Sequence, residues 1–65
     1  MAHAIRHLPR YQIVARLKRR RITQAQVAKA AGATAGYVNH VLSRRALGTP
    51  LVDRIWQELE RVLAL

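Results

Sequence analysis

Asn39, His40 and Ser43 can exchange hydrogen bonds with the polar edge of a flat ligand, and cations bracket them, Lys18-Arg19-Arg20-Arg21 before and Arg44-Arg45 after. A carboxamide such as that of Asn39 holds donors and an acceptor side by side, the combination that reads adenine bidentately. Guanidinium and ammonium groups supply the complementary chemistry, since they neutralise phosphates and release counterions. The 65-residue chain carries Lys+Arg 12 against Asp+Glu 3, a formal net charge of +9. Such a surplus calls for a polyanionic partner. The charge is also unevenly placed. Every basic residue except Arg54 and Arg61 precedes Asp53, whereas Asp53, Glu58 and Glu60 all follow Val52.

Other chemistries are poorly served. The only carboxylates lie on one C-terminal segment, so no pairing of nucleophile and base assembles and an enzyme is not expected. His3 and His7 have the i, i+4 spacing of a helical metal pair, but no carboxylate or thiol lies nearby to complete a site; no metal and no cofactor are expected. The chain lacks cysteine, which removes disulfides and thiolate centres and gives no sign of an oxidising compartment. No apolar run approaches a membrane span, and Met1 to Arg10 lacks the apolar middle of a signal peptide, so the expected location is cytoplasmic.

The elements that position these groups read as helices. Hydrophobic residues reach 51%, without Phe and with much alanine, a composition that favours helices over bulky cores. Residues 1–65 are expected to form one all-α domain, with 1–8 as a flexible basic arm that includes Arg6. Pro9 suits the first position of helix one, whose apolar stripe is Ile13, Val14 and Leu17. Thr23 and Gln26 form a capping box, with Ile22 and Val27 as its hydrophobic staple, and they open a helix of about two turns that Gly32 closes. Thr34 caps a third helix running from about Ala35 to Ser43, with Val38, Val41 and Leu42 inward. Thr49 and Pro50 open a fourth, carrying Leu51, Val52, Ile55, Trp56, Leu59, Val62 and Leu63.

Two short helices joined by a tight turn containing glycine make a helix-turn-helix, whose second helix enters the major groove. Gln24 to Ser43 resembles the twenty-residue motif of the phage-repressor and Cro-like superfamily, the lambda-repressor-like DNA-binding domains. That pattern wants a small residue where Ala28 stands and glycine where Gly32 stands. It wants apolar residues where Val27, Ala31, Ala33, Val38 and Val41 stand, and all of these positions agree. The resemblance implies a four-helix domain with the motif at helices two and three. It also implies a phosphate held by Gln24 and the amides at the start of helix two, and another by Thr34 and its neighbours, in keeping with the affinity of helix N-termini for anions.

Base edges are then read by the outward residues of helix three, Ala35, Gly36, Asn39, His40 and Ser43, with Ala35 suited to a thymine methyl. Gly36 departs from the commoner pattern: it offers no side chain, and either lets the backbone approach DNA closely or is simply tolerated. Phosphate contacts are expected from Lys18, Arg19, Arg20, Arg21, Thr23, Gln24, Thr34, Arg44 and Arg45. Tyr37 either donates to a phosphate or lies along the helix crevice. Because so small a domain cannot easily bury every apolar residue of helix four, Trp56, Leu59 and Leu63 are expected as an exposed dimer interface, the alternative being a monomer in which they fold under helix one. The expected function is a sequence-specific regulator, a repressor, binding double-stranded DNA as a homodimer, with neither a small-molecule ligand nor a membrane partner. The alternative is a non-specific architectural or accessory nucleic-acid-binding protein.

Overall fold

Pro9, Thr23, Thr34 and Thr49 mark where the helices begin. A computed structural model describes residues 4–46 and 48–63. It comprises a 3-10 turn, Ala4–His7, and four α-helices: α1 (Arg10–Arg19), α2 (Gln24–Ala31), α3 (Ala35–Leu42) and α4 (Pro50–Leu63). The fold is all-α, with no strand among the described residues. At α2 the Thr23 hydroxyl accepts from the Gln26 N–H at 3.0 Å while the Thr23 N–H donates to Gln26 Oε1 at 2.8 Å, so the capping box is complete. Thr34 accepts from the Tyr37 N–H at 3.1 Å, and Thr49 from the Val52 N–H at 3.2 Å. Pro9 differs from expectation. Its ψ of 156° keeps it outside α1 as the N-cap residue, although its carbonyl accepts the first helical bonds from Gln12 and Ile13.

The first three α-helices end alike. Beyond α1, Arg21 takes φ 58° and Ile22 N–H donates back to Leu17 O at 2.9 Å; beyond α2, Gly32 takes φ 77° and Ala33 N–H donates to Ala28 O at 2.8 Å. Beyond α3, Arg44 takes φ 59° and Arg45 N–H donates to His40 O at 3.1 Å. Each is the left-handed closure in which a paired set of bonds satisfies the last carbonyls. Only at Gly32 does the residue type favour that conformation; arginine adopts it at a cost of about 1–2 kcal/mol.

The core gathers Ile13 and Leu17 of α1, Val27, Ala28 and Ala31 of α2, Val38, Val41 and Leu42 of α3, and Ile55, Trp56, Leu59 and Leu63 of α4. Alanine at 28 and 31 keeps the buried side of α2 thin, so that α3 and α4 pack closely against it.

Two expectations are corrected here. Trp56, Leu59 and Leu63 are 9%, 0% and 2% exposed, so they are core residues and not an exposed interface. The domain buries them because the N-terminal segment contributes as well: Ile5 enters the same cluster, with Leu8 packed beside it. The basic arm expected over 1–8 therefore holds a place in the fold from Ala4 onward, while residues 1–3 lie outside the described residues. The one large hydrophobic left exposed is Tyr11, among the described residues.

The segment is tied down by charge as well as by Ile5. Arg6 Nε donates to Glu60 Oε2 at 2.7 Å and its Nη1 to Asp53 Oδ1 at 3.3 Å. Arg44 Nη2 donates to the Arg6 and Leu8 carbonyls at 2.8 and 2.7 Å. Both guanidinium groups lie over the Trp56 ring, at 6.0 and 5.7 Å from its centroid, within cation–π range. The hydrogen bond to Glu60, helped by Asp53, raises the pKa of Arg6 above its ordinary value against a smaller opposing effect of burial. A raised pKa contributes stability that is complete below the ordinary arginine range and fades only above it. Arg6 is thus a fixed clamp at neutral and acid pH alike as far as its own proton is concerned.

Candidate nucleic-acid interface

Helical spacing divides α3 cleanly. Val38, Val41 and Leu42 are buried, whereas Ala35, Gly36, Asn39, His40 and Ser43 are all exposed, with Ser43 just past the last helical residue as the C-cap. The ring of Tyr37 packs against the core and stacks on His40, with centroids 6.4 Å apart and planes at 24°. Tyr37 thus lies along the crevice, and its half-buried ring braces His40. No Tyr37 hydroxyl hydrogen bond occurs among the described residues.

Asn39 is held by a residue that sequence reasoning missed. Arg10, at the first position of α1, donates through Nη2 to Asn39 Oδ1. This bond orients the carboxamide, leaving its NH2 free to donate and one lone pair of Oδ1 free to accept. The pairing spans 29 residues of chain, so no local pattern announces it. One signal exists. The first turn of α1 contains no acid and begins with arginine, against the preference of a helix N-terminus for negative charge.

Gly36 adds space and no chemistry. A methyl group built there would meet nothing nearer than Thr34 Oγ1 at 4.0 Å, and the backbone is ordinary helix. Gly36→Ala is therefore expected to stabilise the domain by about 0.5–1 kcal/mol, the usual glycine-to-alanine difference in a helix. Thermal unfolding checks this, and a loss of stability would mean that the space is not open.

The cations do not form a single patch. Lys18, Arg19, Arg20 and Arg21 are all exposed but encircle the end of α1. Arg19 and Arg20 line an open trough with Gln12, Ala15 and Arg16, whereas Arg21 stands past the helix in its left-handed turn. Arg45 is exposed, and no side-chain hydrogen bond or ion pair involves it among the described residues. Arg44, expected at a phosphate, is instead engaged three times over, with the Arg6, Leu8 and Leu42 carbonyls. Gln24, half-buried at the first position of α2, makes no side-chain hydrogen bond among the described residues, and Thr23 serves as the cap of that helix.

All three acids are already paired: Asp53 and Glu60 with Arg6, and Glu58 with Arg61. None is paired with an arginine of α1 or with Arg45. No helix among the described residues is long and apolar enough to cross a membrane. His7 is exposed, and its possible metal partner His3 lies outside the described residues. No family model, curated protein or solved structure matches the chain.

Proposed function

We propose that α2 and α3, with the turn between them, act as a helix-turn-helix of the lambda-repressor-like kind, placing α3 in the major groove of double-stranded DNA. The observation that carries this reading is the outward face of α3: Ala35, Gly36, Asn39, His40 and Ser43 are exposed together, and Arg10 presets the one carboxamide among them. Lys18, Arg21 and Arg45 are exposed and without acidic partners among the described residues, which suits them to phosphates. The chain is read as a sequence-specific transcriptional regulator, a repressor acting in the cytoplasm at the nucleoid without cofactor or small-molecule ligand. Two copies pair on a two-fold operator, with half-sites about one helical turn apart. Since Trp56, Leu59 and Leu63 belong to the core, the copies meet on the DNA and not through a preformed apolar stripe on α4.

Selection of bound duplexes from a random library supplies the operator, and titration against it and a scrambled duplex at several salt concentrations tests the reading. Asn39→Ala is expected to weaken operator binding by about 1–2 kcal/mol while leaving scrambled-duplex binding nearly unchanged. Arg10→Met should reproduce part of that loss, and the double variant should fall short of the sum because both act through one carboxamide. Equal affinity of the parent protein for both duplexes would exclude sequence-specific readout and leave the architectural alternative, which the arginines of the α1 trough favour.

A further inference from the structure

We infer that the flank of α1 formed by Arg16, Arg19 and Arg20 is a second DNA-binding surface, so that one copy of the protein joins two duplex segments. This rests on the reading of α3 as the first surface. The separation of the two follows from helix geometry. Ile13 and Leu17 are the buried stripe of α1, and Arg10 at one edge of it reaches across to Asn39 on α3. Arg19 lies nine residues on, about two and a half turns at 3.6 residues per turn, and so on the side of α1 opposite Arg10; Arg16, six residues on, lies about 120° round from Arg10, and Arg20 follows as the C-cap. A duplex whose groove receives α3 lies on the Arg10 side. Arg16 and Arg19 face away from it, and Arg20 lines the same trough.

The flank is built to receive a phosphate backbone. Gln12, Ala15, Arg16, Arg19 and Arg20 line one open trough. Ala15 is exposed and short, which leaves its floor low, and Gln12 adds an uncharged donor at one end. The three guanidinium-bearing residues span about 6 Å of helix axis at 1.5 Å per residue, enough for roughly two phosphates of one strand, which recur every ~3.4 Å of duplex axis. No ion pair or side-chain hydrogen bond among the described residues engages Arg16, Arg19 or Arg20, and every acid of the chain is paired elsewhere. Three unneutralised cations on one helix side repel one another, and a polyanion relieves that repulsion. A duplex fits better than a compact anion because the charges are spread along an axis and not gathered into a pocket.

The test uses the full chain and two readouts: affinity for a single labelled duplex, and capture of that duplex on beads carrying a second, immobilised one. The variant combining Arg16→Gln, Arg19→Gln and Arg20→Gln keeps good helix formers in α1, and circular dichroism confirms its fold. It is expected to lower capture about ten-fold while single-duplex affinity changes by less than about three-fold. In the opposite direction, Ala15→Arg is expected to raise capture about three-fold. Capture unchanged by the triple variant, or a fall shared equally by both readouts, would overturn the inference, as would the absence of a gain with Ala15→Arg. A parent protein that binds a single duplex but captures no second one would overturn it alone. Failure to bind even a single duplex would overturn the proposed function with it.

Discussion

Leu59→Ala is expected to cost about 2–5 kcal/mol of folding stability, the range for truncating a fully buried leucine that leaves a cavity behind. Leu59 is 0% exposed and sits within the cluster that joins α4 to Ile5, α1, α2 and α3. A domain of this size holds roughly 3–10 kcal/mol in all, so the variant should be partly unfolded at room temperature. Urea unfolding gives the stability, and sedimentation of both proteins at matched concentration shows what the change does to association. If Leu59 belonged to a dimer interface, the variant would dissociate while keeping its unfolding midpoint at high dilution. That result would return Leu59 to the surface and contradict its place in the core.

Arg44 and Arg45 are neighbours of identical chemistry for which opposite outcomes are expected. Arg44→Ala removes donors to three carbonyls and a cation over Trp56. Hydrogen bonds from charged donors contribute about 1.5–3 kcal/mol each when well shielded and less at an exposed site. The net loss is set at roughly 2–3 kcal/mol, with the salt dependence of DNA binding unchanged once the protein is folded. Arg45→Ala should leave stability within about 0.5 kcal/mol and flatten the slope of log affinity against log salt by about one. The paired measurement is unfolding by denaturant together with duplex titration across salt. A flattened slope for Arg44→Ala would place that side chain on phosphate after all. Arg44→Gly separates the two parts of the residue, since glycine suits φ 59° while losing the same donors.

What could be read in the sequence was what depends on near neighbours. Thr23 with Gln26, Gly32, Thr34, and Thr49 with Pro50 each act within about four residues, and each stands where its type and spacing indicate. The division of α3 into a buried and an exposed side followed from the helical period in the same way. The remainder depends on pairings between distant residues. Arg10 meets Asn39, Arg44 meets Arg6 and Leu8, and Arg6 meets Glu60 across separations of 29 to 54 residues. No periodicity encodes them. The stripe of Trp56, Leu59 and Leu63 was visible, but the same stripe serves a partner subunit or a covering segment equally well. What decided between them was Ile5, a single apolar residue in a region that otherwise looked like a charged arm. Arg21 and Arg44 concealed their left-handed backbones for a simpler reason: arginine is not a residue that signals a turn.

The shared closure of α1, α2 and α3 also has a kinetic side. Each of these corners is completed by bonds between residues five apart in the chain, so each can form as soon as its own helix does, without waiting for the rest. The clamp of Arg6 and Arg44 around Trp56 joins residues dozens of positions apart and must close a large loop first. Assembly therefore has a built-in order, with the corners early and the N-terminal segment last. A chain with mostly local pairings of this kind belongs among the fast folders, and the segment that locks it is the one whose partners lie farthest along the chain.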